Sequence, residues 1–343
     1  MPAALLNKKV RLAARPIGLP KPSDWQVTTE PVGEVGAEDV LVKTLLLSLD
    51  PAMRGWMNEG KSYIAPVGIG EVMRANGIGV VVASANPALP VGTTVAGWFG
   101  VQEYLHLTPE SLKAAGLRPV DTRLASMEKW LNALGGPGMT AYFGLLDIGE
   151  PKAGETVVVS GAAGAVGQTV GQVARIKGCR VVGIAGGAAK CEFVVKELGF
   201  DACIDYKAGG VKEGLKQHCG AGVDIYFDNV GGEILDAVLT RINLHARIII
   251  CGAVSQYNNT TPVKGPANYL SLLVNRARME GMVVFDYAPR FGEAIKAISQ
   301  WMAEGSFHSR EDVIDGIDSF PETLLKLFNG ENFGKLILRV AAS

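Results

Sequence analysis

Residues 156–190 read TVVVSGAAGAVGQTVGQVARIKGCRVVGIAGGAAK, and few other stretches leave a chain so little choice of fold. A β-branched run (156–159) breaks into a glycine-rich turn. An Ala/Val/Gln pattern with helical spacing then runs from Gly164 to Lys177, and a second apolar run follows at 180–184. Strand, turn, helix and strand make one βαβ unit, which sets a pyrophosphate over a helix N-terminus. Gly164 lets the backbone approach the phosphates, and Gly167 lets the helix lie close against the first strand. Ala162 stands where a G-x-G-x-x-G pattern has its first glycine, so the context carries the reading more than the motif does.

The end of the second strand selects the nucleotide. An NAD site asks for Asp or Glu about 20 residues beyond the glycines, to accept from the ribose hydroxyls. This chain has Gly186 and Gly187 there, with Lys190 just behind. Small residues leave room for a 2′-phosphate and an ammonium pairs with it, which points to NADPH.

A chain of 343 residues predicts about two domains. Lys and Arg total 33 against 34 Asp and Glu, with no block of one sign, so neither nucleic acid nor an anionic membrane is an expected partner. Five scattered cysteines (Cys179, Cys191, Cys203, Cys219, Cys251) without a C-x-x-C pair suit a reducing compartment. No apolar run reaches the roughly 18 residues of a membrane span. The basic N-terminal stretch lacks a continuous apolar core and contains Pro2, Pro16, Pro20 and Pro22, which disfavours a signal peptide, so a cytoplasmic protein is expected.

Residues 1–125 read as β-rich, barrel-like or sandwich-like, with short runs at 39–47, 77–84, 93–96 and 101–107 between Gly and Pro turns. From Glu128 the texture turns helical and then alternates. Apolar strands are predicted near Val157, Val181, Ala202, Ile225, Ile248 and Val283, with helical patterns between them. Six such strands build a doubly wound α/β sheet whose crevice opens at their carboxyl ends. The final run, GKLILRV, is left over and is expected to return to the first domain.

Segments along the whole chain resemble the medium-chain dehydrogenase/reductases, in the zinc-independent leukotriene B4 dehydrogenase/prostaglandin reductase-like branch that includes curcumin reductases and plant double-bond reductases. They are SLDPAMRGWM (48–57), KSYIAPVGIGEVM (61–73), GMTAYFGL (138–145), the glycine turn, ELGFDACIDYK (197–207), FDNVGG (227–232), RIIICGAVSQYN (247–258) and NFGKLILRV (332–340). The resemblance implies a GroES-like catalytic domain (1–125, completed by 305–343), a Rossmann domain (126–304), a cleft where they meet, and a homodimer. It also implies NADPH-dependent reduction of an activated carbon–carbon double bond. Carried over by motif, the cofactor contacts are Thr140, Ala163, Gly164, Ala165, Val166, Gly167, Lys190, Tyr206, Asn229, Cys251, Gly252, Ala253, Val254, Ser255, Tyr257, Val283 and Asn332. Ala52 stands where the family usually has an aromatic residue, often Tyr; if that ring walls the pocket, Ala52 enlarges it.

No metal is expected. Catalytic zinc needs three protein ligands, yet the first 178 residues hold no cysteine and one histidine, His106. His106, His218, His245 and His308 are read as structural, and no Ser/His/Asp or Cys/His arrangement stands out. The substrate must then be polarised by hydrogen bonding. Hydride added to the β-carbon of an enone or enal leaves charge on the carbonyl oxygen, and a phenol with a pKa near 10 can donate to it. Tyr257, just past the fifth sheet strand, is the first choice and Tyr63 the second; either, or water, could protonate the α-carbon. Arg54 and Trp56 stay outside the site. An NADPH quinone reductase on the same domains and a non-catalytic NADPH-binding protein are the alternatives.

Overall fold

The computed structural model describes residues 5–341. Contacts divide it into two compact units, one formed by residues up to 131 and again from 311 onward, the other by Asn132–Arg310. The seams follow residues 131 and 310, and both have local causes. The helix Met127–Leu131 packs on strands of the first unit through Trp130 and Leu131. At the other seam, two buried glutamines one helical turn apart hold the chain to the second unit. Gln172 bridges the backbone N–H and C=O of His308, and Gln168 those of Arg310, at 2.8–3.2 Å.

The first unit opens with β1 (Leu6–Leu12) paired antiparallel to β2 (Trp25–Pro31). Strands β3 (Val40–Ser48), β4 (Asn76–Ser84), β5 (Thr94–Trp98), β6 (Tyr104–Leu107) and β7 (Arg118–Pro119) follow. They enter a seven-stranded sheet that the last two strands of the chain complete. Its core holds Trp25, Trp56 and Phe99, with Trp25 edge-on to Phe320 at 5.2 Å.

In the second unit β8 (Thr156–Ser160), β9 (Arg180–Ala185), β10 (Ala202–Asp205), β11 (Val223–Asp228), β12 (Ile242–Ile250) and β13 (Arg278–Gly281) form one parallel sheet in the order β10-β9-β8-β11-β12-β13. All five residues of β8 are buried, as expected of a central parallel strand covered on both faces. The order reverses between β8 and β11, which makes the ends of those two strands the topological switch point. The glycines of the helix Ala165–Ile176 let its neighbours come close: a Cβ on Gly171 would stand 1.8 Å from the ring of Phe200, in the loop before β10.

One strand is not where the apolar pattern suggested. Val283 lies two residues beyond β13, at the start of the 3-10 turn Val284–Arg290. The ladder stops because Met282 N–H takes the Ile250 carbonyl, the last residue of β12, and no partner remains beyond it.

The chain then returns to the first unit as β14 (Glu311–Asp315) and β15 (Lys335–Arg339), giving the order β14-β15-β3-β4-β5-β7 with β6 also on β3. Lys335 is 1% exposed and donates to the Leu49 carbonyl at 2.8 Å and to Asp50 at 2.5 Å. Burial pushes its ammonium pKa down, opposed by Asp50.

Candidate active site

The glycine turn follows β8 directly. Gly161 has φ +61°, so the left-handed residue of the turn stands one position before Ala162, which is buried and bonded through its N–H to Ile184. Gly164 caps the helix Ala165–Ile176 without a side chain, leaving the first-turn N–H groups of Ala165, Val166 and Gly167 without intrahelical partners. A Cβ on Gly164 would meet a single atom within 4 Å, the Gly161 carbonyl at 3.1 Å. On Gly167 it would stand 2.2 Å from that carbonyl and 2.8 Å from Ala162 Cα. The two glycines thus differ: Gly167 is needed by the fold, while Gly164 leaves open the space an anion would fill.

At the neighbouring strand ends, Gly186, Gly187, Lys190 and Tyr206 come together. The parallel register sets Ala185 beside Asp205. Tyr206 bonds back through its N–H to the Ala185 carbonyl, and its hydroxyl lies over Gly186, where a Cβ would be 2.7 Å away. Gly187 takes φ +98°. Asp205, which the sequence reading passed over, accepts from Gly187 N–H at 2.7 Å and Lys207 N–H at 2.9 Å on one oxygen. Its carboxylate thereby orders the loop.

A third cluster ties the switch point together. Asp228, 1% exposed, accepts on Oδ1 from the Ser160 and Tyr226 hydroxyls at 3.0 and 2.8 Å and from the Val230 and Gly231 N–H groups at 3.0 and 2.9 Å. Ser160 Oγ in turn accepts from Asn229 N–H, and the Asn229 amide donates to the Ser160 carbonyl. The Asp228 carbonyl accepts from Cys251 and Gly252 N–H, and the Asn229 carbonyl from Val254 N–H. Ser255 N–H and Oγ both donate to the Val230 carbonyl. Tyr257 closes the turn by accepting from Ala253 N–H at 3.2 Å.

Asn229 and the turn 251–257 are therefore one assembly, held by a buried carboxylate that was not among the candidate residues. The available signal was an acid ending an apolar strand just before Asn-Val-Gly-Gly. Burial pushes the Asp228 carboxyl up against the pull of its four donors. Burial also drives the Cys251 thiol up to about 12, which leaves it protonated at neutral pH.

The remaining candidates are spread over both units. Ala163, buried, is in the glycine turn itself. Thr140 is in the helix Gly136–Phe143 and donates to the Gly136 carbonyl at 2.8 Å. Tyr63 and Asn332 belong to the first unit. Tyr63 is 54% exposed, and its hydroxyl accepts from Trp56 Nε1 at 3.4 Å. The Asn332 amide donates to the Gly334 carbonyl. Ala52 starts the helix Ala52–Trp56 and packs partly buried on the core. Arg54 is buried and spends its guanidinium on the Gly18 and Pro16 carbonyls and Asn58. His106 bonds Asp39 at 2.7 Å.

Two family models match the chain: the N-terminal domain of oxidoreductase over residues 8–115 and zinc-binding dehydrogenase over 165–300. The chain is 43% identical to the NADPH-dependent curcumin reductase of Escherichia coli, covering 98% of this chain and 97% of that one. It is 39% identical to the NADP(+)-dependent 2-alkenal reductase of Nicotiana tabacum, covering 98% of each. The chain is a medium-chain dehydrogenase/reductase of the zinc-independent, prostaglandin reductase-like branch.

Among solved structures of this medium-chain dehydrogenase/reductase fold, CurA of Vibrio vulnificus in complex with NADPH superposes with a TM-score of 0.92 at 41% identity, covering 98% of this chain and 100% of that one. Like its relatives, the protein is an oxidoreductase. Among the described residues no group of three or more His, Cys, Asp or Glu side chains is arranged to hold a metal ion, and no helix is long and apolar enough to cross a membrane.

Proposed function

We propose that the protein reduces the carbon–carbon double bond of α,β-unsaturated ketones and aldehydes with NADPH. The observation that carries the cofactor half is the open space over Gly164 at an uncapped helix N-terminus, with Gly186, Gly187, Lys190 and Tyr206 grouped at the next strand end. The acceptor half draws on the likeness to curcumin and alkenal reductases along almost the whole chain. When bound, NADPH supplies the hydride that goes to the β-carbon.

The chain's own residues do the rest. The first-turn N–H groups of Ala165, Val166 and Gly167 receive the pyrophosphate. Lys190 pairs with the 2′-phosphate, and Tyr206 with the two glycines shapes its seat. The Asp228 cluster holds Asn229 and the turn 251–257 in place. Tyr257 donates from its hydroxyl to the carbonyl oxygen as enolate charge builds there, with Tyr63 the second candidate.

Two substitutions test these roles. Lys190→Ala should raise KM for NADPH about 10- to 100-fold, the worth of a charge-assisted pair, with little change for NADH. Equal effects on both would remove the phosphate assignment. Tyr257→Phe should lower kcat with enones about 100-fold, the scale of one oxyanion donor, while NADPH affinity survives. Loss of NADPH affinity alone would make Tyr257 a cofactor contact. Steady-state turnover of enones, quinones and simple ketones compared side by side separates the double-bond reading from a quinone reductase, and turnover of none of them would favour a binding protein.

We also propose that two copies pair along β13. It is one of the two edge strands of the parallel sheet, and the helix before it, Leu270–Asn275, exposes Leu270, Leu273 and Val274 at 57–75%. An open edge beside an apolar patch favours a partner strand. The double variant Leu273→Asp/Val274→Asp should sediment as a monomer where the parent is a dimer; a dimer that survives would place the interface elsewhere.

A further inference from the structure

Cys191 lies in the first turn of the helix Ala188–Lys196 and Cys203 in the middle of β10, and their sulfurs are 2.8 Å apart with Cys203 placed to donate its S–H. Both residues are half-buried, while Cys179 and Cys219 are buried. Their sequence neighbours matter as much as their contact. Lys190 immediately precedes Cys191, and Asp205 and Tyr206 follow Cys203 by two and three positions. The thiol pair therefore joins the two segments that form the proposed phosphate seat.

We propose that Cys191 and Cys203 are a redox modification site, oxidised by peroxide to a disulfide that weakens NADPH binding. The bond itself is argued from geometry; its effect on affinity rests on the cofactor reading above. One thiolate, Cys191 in this account because its sulfur is the one that accepts from the Cys203 S–H, attacks a peroxide oxygen; the O–O bond breaks, leaving a sulfenic acid and, after protonation, one water. Cys203 sulfur then attacks the sulfenic sulfur, the S–O bond breaks, and a second water departs. In all, two thiols and one hydrogen peroxide give one disulfide and two waters.

A disulfide holds its sulfurs about 2.05 Å apart at a fixed dihedral. Closing the bond therefore draws the first turn of the helix toward β10 and carries Lys190 with it, away from the position that suits the reduced loop. Linkage makes the effect reciprocal: bound NADPH must disfavour the disulfide at equilibrium. Burial raises both thiols above the ordinary range, so the rate should climb as the pH is raised from neutral.

The test treats the full-length, reduced protein with hydrogen peroxide, with and without NADPH, then maps disulfides by peptide mass spectrometry and titrates NADPH. The expected result is a Cys191–Cys203 cross-link, a Kd for NADPH raised several-fold, and full reversal by dithiothreitol, with less dithiothreitol needed at equilibrium when NADPH is present. Cys191→Ser and Cys203→Ser should each keep NADPH binding and turnover and lose the peroxide response. Absence of the cross-link, or a cross-linked protein with unchanged NADPH affinity, would overturn the switch. Reduced protein that binds no NADPH would instead overturn the cofactor reading and, with it, the coupling.

Discussion

Asp228→Ala is expected to lower the unfolding free energy by about 3–5 kcal/mol, because it strips the acceptor from four donors at once. Those donors are the Ser160 and Tyr226 hydroxyls and the N–H groups of Val230 and Gly231, which all converge on Oδ1. Water has no ready route to replace the oxygen, since Asp228, Tyr226 and Ser160 are each at most 1% exposed. Loosening Ser160 also frees the N–H of Asn229, so nucleotide affinity should fall with stability. Urea denaturation followed by circular dichroism reads the first effect and NADPH titration the second; a stability loss under about 1 kcal/mol would mean the donors find other partners.

Asp228→Asn, which keeps an accepting oxygen, should lose less. It should also alter the pH dependence in a definite direction. Burial raises the Asp228 carboxyl in the folded state above its unfolded value, so the folded protein holds this proton longer. The contribution to stability is fully present below the unfolded value and is lost as pH rises through the raised one. Relative to Asp228→Asn, the parent should therefore gain stability toward acid pH. A difference that grows toward alkaline pH would reverse the assignment.

Gly164→Ala and Gly167→Ala, three positions apart, should fail in opposite ways. At Gly167 the new methyl would stand 2.2 Å from a carbonyl oxygen and 2.8 Å from a Cα, both backbone atoms of the turn that starts the helix. Backbone at such distances cannot step aside without opening the turn, so a loss of several kcal/mol, or failure to fold, is expected. At Gly164 the φ of −85° suits any residue, and the methyl meets one atom at 3.1 Å. That protein should fold with nearly the parent stability yet bind NADPH about 100-fold more weakly, because the methyl occupies the approach to the helix N-terminus. Thermal unfolding and calorimetric titration on both variants separate the two roles. A Gly164→Ala protein that binds normally would remove the phosphate from this turn.

The sequence alone was sufficient for the doubly wound sheet, the β-rich first unit and the glycine turn, because each is written in local periodicity. Apolar runs of four to six residues between helical patterns mark buried parallel strands, and a glycine-broken strand-to-helix passage marks the turn. Even there, local pattern misplaced Val283: where a ladder ends depends on the partner strand, and β12 stops at Ile250.

What only the tertiary structure decided lies across the strand ends. Ser160 and Asp228 are 68 positions apart and meet because β8 and β11 are neighbours at the switch point. Asp205 reaches Gly187, and Tyr206 covers Gly186, because β9 and β10 pair in one particular register. Cys191 and Cys203, read in sequence as members of a scatter, touch for the same reason. Side-chain chemistry and period travel along the chain and can be read there. Which strand ends lie side by side is set by packing many residues at once, and no short window of sequence carries it.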